Sequence, residues 1–361
     1  MTDFTDQLLN WYAHQGRRLP WRDRPEPDPY LVWVSEIMLQ QTRVEAVIPY
    51  FEHWLAKFPR LADLAAAREQ DVLSAWEGLG YYSRARNLHK AAKLVVADYG
   101  GELPRDLDSL RKLPGIGRYT AAAIASIAFH LDVATLDGNL KRVFARLFDV
   151  QEPADSPAGE KRLWALAEEH LPPGRAGDYN QALMDLGATI CIPKNPRCLL
   201  CPLSELCQAR ILGVQEQRPV RKPKKEVPHY IVTAAVIQRD GKILLAKRPA
   251  NGLLGGMWEF PGGKLEAGES LPEGLQREIR EELAAEIRVG EPFGIYQHAY
   301  THFHITLHAF LCQLADGEPR PLEAEEIKWL TVAELGEYPM GKVDRQIARR
   351  LFTGGTLSGT M

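Results

Sequence analysis

The stretch "LPGIGRYTAAAIAS", residues 113–126, decides how the first half of the chain is read. Two glycines stand directly before an alanine-rich helix. Gly115 and Gly117 permit a tight turn with positive φ. The helix then opens with backbone N–H groups that have no partner inside it and that point outward. Together with the helix dipole they form an anion site that needs no charged side chain. A glycine turn ahead of a helix is common, so its surroundings decide its meaning.

About 70 residues further on lie four of the five cysteines. Cys191, Cys198, Cys201 and Cys207 give C-x6-C-x2-C-x5-C within 17 residues. Such clustering in a reducing compartment points to metal, not disulfides. Zinc and an iron–sulfur cluster both accept four thiolates, and spacing alone does not choose between them. Cys312 lies in a strand-like run and reads as core.

Two acids flank the glycine turn. Asp137, in "LDGNLKRVFARLF", precedes a helix whose apolar face is Leu140, Val143, Phe144 and Leu147. It therefore stands at the N-cap, where helix N–H groups favour the carboxylate. Glu36, in "VWVSEIMLQQ", has Val32, Trp33, Leu39 and Gln40 as helical neighbours. Desolvation there raises a carboxyl's pKa. Two acids with opposite tendencies suit glycosidic cleavage, one as proton donor and one as ionised partner.

Helical periodicity recurs in 31–58, 85–97, 118–129, 139–148 and 160–170, with no clear strand alternation in the first 210 residues. Residues 215–228, "QEQRPVRKPKKEVP", are rich in proline and basic side chains and read as an exposed linker. After it, "HYIVTAAVIQ", "GKILLAKR" and "HFHITLHAFLC" alternate as strands, with "RDGK" as a hairpin turn. One clear helix, about 272–284, sits among them. The expected architecture is an all-α domain, 1–214, followed by an α+β domain, 229–355. At 45% hydrophobic and 25% charged the composition is that of a globular protein. No run of 18 apolar residues exists to span a membrane. The N-terminus lacks a signal peptide's apolar core, so a cytoplasmic location is expected. A net charge of −3 argues for no partner, and local basic patches decide nucleic-acid binding instead.

Together "LPWR", "VWVSEIMLQQTRV", "GLGYYSRARNLH", "LPGIGRYTAAAI", "LDGNLKRV" and "NQALMDLGATIC" resemble the MutY-type adenine DNA glycosylases of the endonuclease III, helix-hairpin-helix superfamily. The resemblance runs almost continuously over residues 5–210, and the later half resembles that family's Nudix-like domain. It implies a [4Fe–4S] cluster on the four cysteines, in a DNA-contacting loop that carries Lys194 and Arg197. It implies a monomer, associated with the nucleoid, that excises adenine opposite 8-oxoguanine or guanine in duplex DNA. By position, Glu36 protonates adenine N7, Asp137 stabilises the deoxyribosyl cation and Tyr119 faces the same intermediate. Trp21, Arg22, Leu39 and Gln181 line the base pocket. Gln41 and Tyr81 wedge into the stack that the flipped base leaves. Backbone-cutting relatives carry lysine where this chain has Tyr119, and tyrosine cannot form a Schiff base. A glycosylase without efficient lyase activity follows.

In the second half "GKLEAGESLPEGLQREIREELAA", residues 263–285, resembles the Nudix box. Glu278, Glu281 and Glu282 share one helix face and are oxygen ligands suited to Mg²⁺. Ala284 stands where the box has glycine, which costs on the order of 1 kcal/mol if the helix ends left-handed. Three readings stay open. The domain recognises 8-oxoguanine, or it also binds Mg²⁺ and hydrolyses a nucleotide such as 8-oxo-dGTP. Alternatively the acids are a solvated face softened by Glu273–Arg277 and Arg277–Glu281 pairs. For recognition, Tyr300-Thr301-His302 replaces the family's Phe-Ser-His, so Thr301 and His302 are the contacts. A non-catalytic iron–sulfur DNA-binding protein is the remaining alternative, against which Glu36 and Asp137 argue together.

Overall fold

The computed structural model describes residues 4–222 and 227–354, which form two compact units. One holds the described chain up to Ala66 and from Asn87 to the linker. The other holds Ala67–Arg86 and everything after the linker. The short segment 67–86 therefore belongs with the α+β half, although it lies within the helical sequence.

The first unit is helical: α1 (Phe4–Gln15), α2 (Pro29–Leu39), α3 (Val44–Lys57), α4 (Leu61–Ala66), then, after α5 (Glu69–Trp76) of the other unit, α6 (Ser83–Asp98, from Asn87 on), α7 (Leu107–Lys112), α8 (Arg118–Ala128), α9 (Gly138–Leu147), α10 (Pro157–Glu169), α11 (Ala176–Thr189) and α12 (Gln208–Ile211). Periodicity over 31–58 merged α2 and α3, which part at 40–43. Asp28 caps α2, accepting from the N–H groups of Tyr30 and Leu31 ahead of a Pro29 start. Helix α8 is buried from Thr120 to Ala128 and packs between α2 and α11, as its small side chains allow. Only Gly115 of the two turn glycines is left-handed, at φ +78, and a Cβ there would meet Asn87 Cβ at 2.8 Å. Gly117 is extended at φ −86, a backbone any residue adopts, so the expected positive φ does not hold there. It is the N-cap of α8 with open space around its missing side chain, which leaves the helix N–H groups accessible.

The linker reading needs correction in its first half. Arg146 donates to the Gln215 and Arg218 carbonyls, Arg218 pairs with Asp149 at 2.7 Å, and Ala154 N–H donates to the Val220 carbonyl. Buried carbonyls and an ion pair hold 215–220 against the helical unit. Residues 223–226 lie outside the described chain.

In the second unit β1 (His229–Arg239), β2 (Lys242–Lys247), β3 (Trp258–Glu259), β4 (Glu286–Ala299), β5 (His304–Asp316) and β6 (Glu326–Leu330) build one sheet in the order β3-β2-β1-β5-β4, with β6 on β2. The expected hairpin joins β1 to β2, with Asp240 and Gly241 at φ +51 and +72. Central β1 runs parallel to β5 and is buried on both faces. Ala234 and Val236 face α14 (Lys342–Phe352), whereas Ala235 and Ile237 face α13 (Leu271–Leu283). Cys312 is core on the α13 side, as expected. Strand β4 and helix α14 escaped the sequence reading. β4 carries bulges near Pro292 that break its alternation.

Candidate active site

Helix α2 carries Glu36 inward, only 6% exposed. Tyr119, on the first turn of α8, donates its hydroxyl to Glu36 Oε2 at 2.6 Å. The α2–α8 packing thus joins two residues 83 apart in sequence. Burial raises the Glu36 carboxyl to about 7, the Tyr119 hydrogen bond opposes that rise, Asp137 adds to it and Arg22 subtracts. Burial also pushes the Tyr119 phenol well above its ordinary value, with the Glu36 charge helping, so it remains a donor.

Asp137 is the N-cap of α9, as the pattern indicated. Its Oδ1 accepts from Leu140 N–H at 2.7 Å and its Oδ2 from the Asn139 amide at 3.2 Å. The expected depression of its pKa does not appear. Burial raises the carboxyl, and the Leu140 and Asn139 hydrogen bonds counter that rise. Both carboxyls shift upward, and what distinguishes them is their donors. Glu36 has one phenol; Asp137 has a helix N-terminus.

A cavity of about 200 Å³ opens at Glu36, with Trp21, Arg22 and Gln181 in its wall. Trp21 packs edge-on to Phe51, 5.2 Å between centroids, which fixes its ring. Leu39 ends α2 half-buried and outside this wall. Tyr12, Arg24 and Asp178 also line it and were missed, because α1, the loop before α2 and the start of α11 offered no motif. Gln41 is exposed just after α2 with φ +56, a left-handed backbone rare for a non-glycine residue.

The four cysteines line a single cavity at the end of α11, together with Arg146 and Arg210. Burial raises the thiols of Cys198, Cys201 and Cys207, Cys201 to about 12, and neighbouring thiolates add to the rise. Such a set favours a cation among them. Arg146 points Nη1 at Cys191 Sγ, 3.4 Å, and donates to the Ile192 carbonyl. One turn earlier on α9, Arg142 donates to the Cys191 carbonyl and to Asn139. These two arginines, four residues apart, tie the cysteine loop to the helix that Asp137 caps. Neither arginine belongs to the apolar face of that helix. Lys194 and Arg197 are exposed on the loop.

In the second unit Tyr81 is 42% exposed, has φ +47, and shares a hydrogen bond between its hydroxyl and that of Thr301. Two residues singled out separately thus meet. Thr301 and His302 are exposed in the turn between β4 and β5. The acidic helix is less simple than its sequence. Ser270 and Glu273 cap α13 reciprocally, so Glu273 does not pair with Arg277. Arg277 donates to Glu269, Glu278 and Glu281 at 2.7 to 3.1 Å and to the Lys264 carbonyl at 3.0 Å. Glu282 turns inward onto Gly262 N–H, 3.2 Å, where burial raises it to about 7. Gly263 lies so close to Glu278 that a Cβ would come within 2.2 Å of its carboxylate. Ala284 is the left-handed C-cap, φ +50, as its place in the sequence foretold. Among the described residues no three His, Cys, Asp or Glu side chains are grouped to hold a metal ion. A buried cluster of Arg248, Glu259 and Asp344 also escaped sequence reading, its members being far apart in the chain.

Among the described residues no helix is long and apolar enough to cross a membrane. Residues 34–169 match the HhH-GPD superfamily of base excision DNA repair proteins, and residues 232–350 match the NUDIX domain. The adenine DNA glycosylase of Homo sapiens is 36% identical over 97% of this chain and 74% of its own length. That of Buchnera aphidicola from Acyrthosiphon pisum is 35% identical over 86% of this chain and 87% of its own. A solved thermostable thymine-DNA glycosylase covers 58% of the chain at 32% identity, with TM-score 0.53 over 95% of its own length. An endonuclease III–DNA complex, 23% identical with TM-score 0.50, shares the helical fold. The helical unit with its buried Glu36, the Nudix-type sheet behind it in sequence and relatives matched across nearly the whole chain together identify this protein as a member of the adenine DNA glycosylase family.

Proposed function

We propose that this glycosylase excises adenine paired with 8-oxoguanine or guanine in duplex DNA, without efficient strand cleavage. The observation that carries the reading is Glu36, buried at the cavity wall and hydrogen-bonded to Tyr119 at 2.6 Å. With its pKa raised to about 7, Glu36 keeps a large protonated fraction at neutrality and can pass that proton to a base nitrogen, adenine N7 by family resemblance. Protonation makes the base a better leaving group. The N-glycosidic electron pair departs with it, and positive charge develops on the sugar. Asp137, whose carboxylate accepts from the donors at the start of α9, stabilises that charge, and water then adds to the sugar carbon and gives up a proton. Trp21, Arg22 and Gln181 hold the flipped base, while Gln41 and Tyr81 fill its place in the stack. The absence of lysine at Tyr119 removes the amine that β-elimination needs.

The cysteine set suits a [4Fe–4S] cluster: all four thiols line one cavity, and their spacing resembles the cluster loop of the family. Cys191, Cys198, Cys201 and Cys207 would hold the cluster, which would shape the loop bearing Lys194 and Arg197. For the second unit we favour recognition of the opposite base through Thr301 and His302. Arg277 pairs with Glu269, Glu278 and Glu281, which supports reading these acids as a structural joint over a Mg²⁺ site. The decisive experiment follows free adenine from a duplex carrying adenine opposite 8-oxoguanine. Wild type releases it and Glu36→Gln does not; equal release by both sinks the mechanism.

A further inference from the structure

Asp185 lies on α11, within "NQALMDLGATIC" but with none of the roles assigned above, and is completely buried. Its carboxylate accepts from Arg17 backbone N–H at 2.8 Å, from Arg17 Nε and Nη2 at 2.9 and 2.6 Å, and from Arg22 Nη1 at 3.1 and 3.0 Å. Arg22 lines the same cavity as Glu36. A carboxylate bound this way is worth more as an aiming device than as stability, since replacing a buried ion pair by apolar groups is often neutral. We propose that Asp185 is a positioning residue for adenine release, holding the Arg22 guanidinium against the cavity wall and screening its charge from Glu36. This rests on the reading of Glu36 as general acid.

The groups facing Glu36 make the consequence specific. Tyr119 from α8 donates to it, Asp137 at the start of α9 repels its charge, and Arg22, between α1 and α2, attracts it. Tyr12, Arg24 and Asp178 share the cavity wall. Removing the Asp185 charge leaves Arg22 with less counter-charge. The Glu36 carboxylate then becomes easier to form, and its proton is lost at lower pH. A merely structural role would lower the rate at every pH and leave the profile's shape alone.

The test is single-turnover adenine release by the full chain across pH. Wild type falls along an alkaline limb as Glu36 loses its proton. In Asp185→Asn that limb moves to lower pH by roughly one unit, and Asp185→Glu returns it toward wild type. A uniformly slower Asp185→Asn with an unmoved limb overturns the inference. Where Asp185→Asn gives no folded protein, Arg22→Met serves: the limb then moves to higher pH, and a stationary limb overturns the inference equally. Glu36→Gln separates the two failures. If it remains as active as wild type, the general-acid reading has failed; if it is inactive while both limbs stay fixed, only the role of Asp185 has.

Discussion

Glu36 and the glutamates of α13 are acids carried on helices, and what stands opposite them differs. Glu36 faces a neutral phenol and an open cavity, so burial wins and its proton stays on near neutrality. Glu278 and the exposed Glu281 both accept hydrogen bonds from the Arg277 guanidinium; burial raises Glu278, and Arg277 opposes that rise. Glu282, turned away from Arg277, is raised like Glu36 but binds a backbone N–H instead of facing a cavity. The lesson is that an acid's chemistry follows from what stands opposite it. A neutral donor leaves a poised proton; a cation leaves a structural joint.

The largest effect that would sharpen this contrast is the loss of the poised proton. Glu36→Gln is expected to slow single-turnover adenine release by at least ~100-fold. The same change has a stability signature. Glu36 has a folded pKa above its unfolded value of 4.5, so its share of stability is complete below pH 4.5 and is lost as pH rises through about 7. Glu36→Gln, which cannot ionise, should therefore unfold later than wild type above pH 8, by on the order of 1–3 kcal/mol. A wild type whose stability is flat from pH 5 to 8 would contradict the burial argument.

Next comes the joint. Arg277→Met leaves three carboxylates without their cation and should cost about 1–2 kcal/mol in denaturant unfolding, allowing for its one-fifth exposure. Adenine release in excess DNA should change little. Wild type given 8-oxo-dGTP and Mg²⁺ should yield no monophosphate; turnover abolished by Glu281→Gln would break the comparison by making these acids catalytic. A smaller effect is expected of Tyr119→Phe. The Tyr119 bond stabilises the ionised form of Glu36, so its removal moves the alkaline limb upward, opposite to Asp185→Asn. Smallest is Ala284→Gly, which relieves the left-handed C-cap of α13 and should raise stability by roughly 0.5–1 kcal/mol.

Much of the catalytic unit was legible because its signals are local. The left-handed turn at Gly115, the cap at Asp137 and the spacing of the cysteines are properties of a few consecutive residues. The Asp240-Gly241 hairpin and the strain at Ala284 were legible for the same reason. What stayed hidden is non-local. Tyr12 and Asp178 reach the cavity from α1 and α11, and Arg142 and Arg146 reach the cysteine loop from α9. The pKa of Asp137 was misjudged because a cap is a local fact whereas burial is a global one.

By itself the sequence determined the elements and the inventory of chemistry: helices then strands, two acids, four thiols, one acidic helix. Those follow from periodicity, backbone sterics and side-chain type, which act over a turn or two of chain. Only the tertiary structure decided which acid keeps its proton. That choice depends on the desolvation of Glu36 beside Tyr119, on Arg277 between its glutamates and on Asp185 beneath two arginines. Electrostatic energies in a folded protein depend on distance and burial, which chain order does not contain.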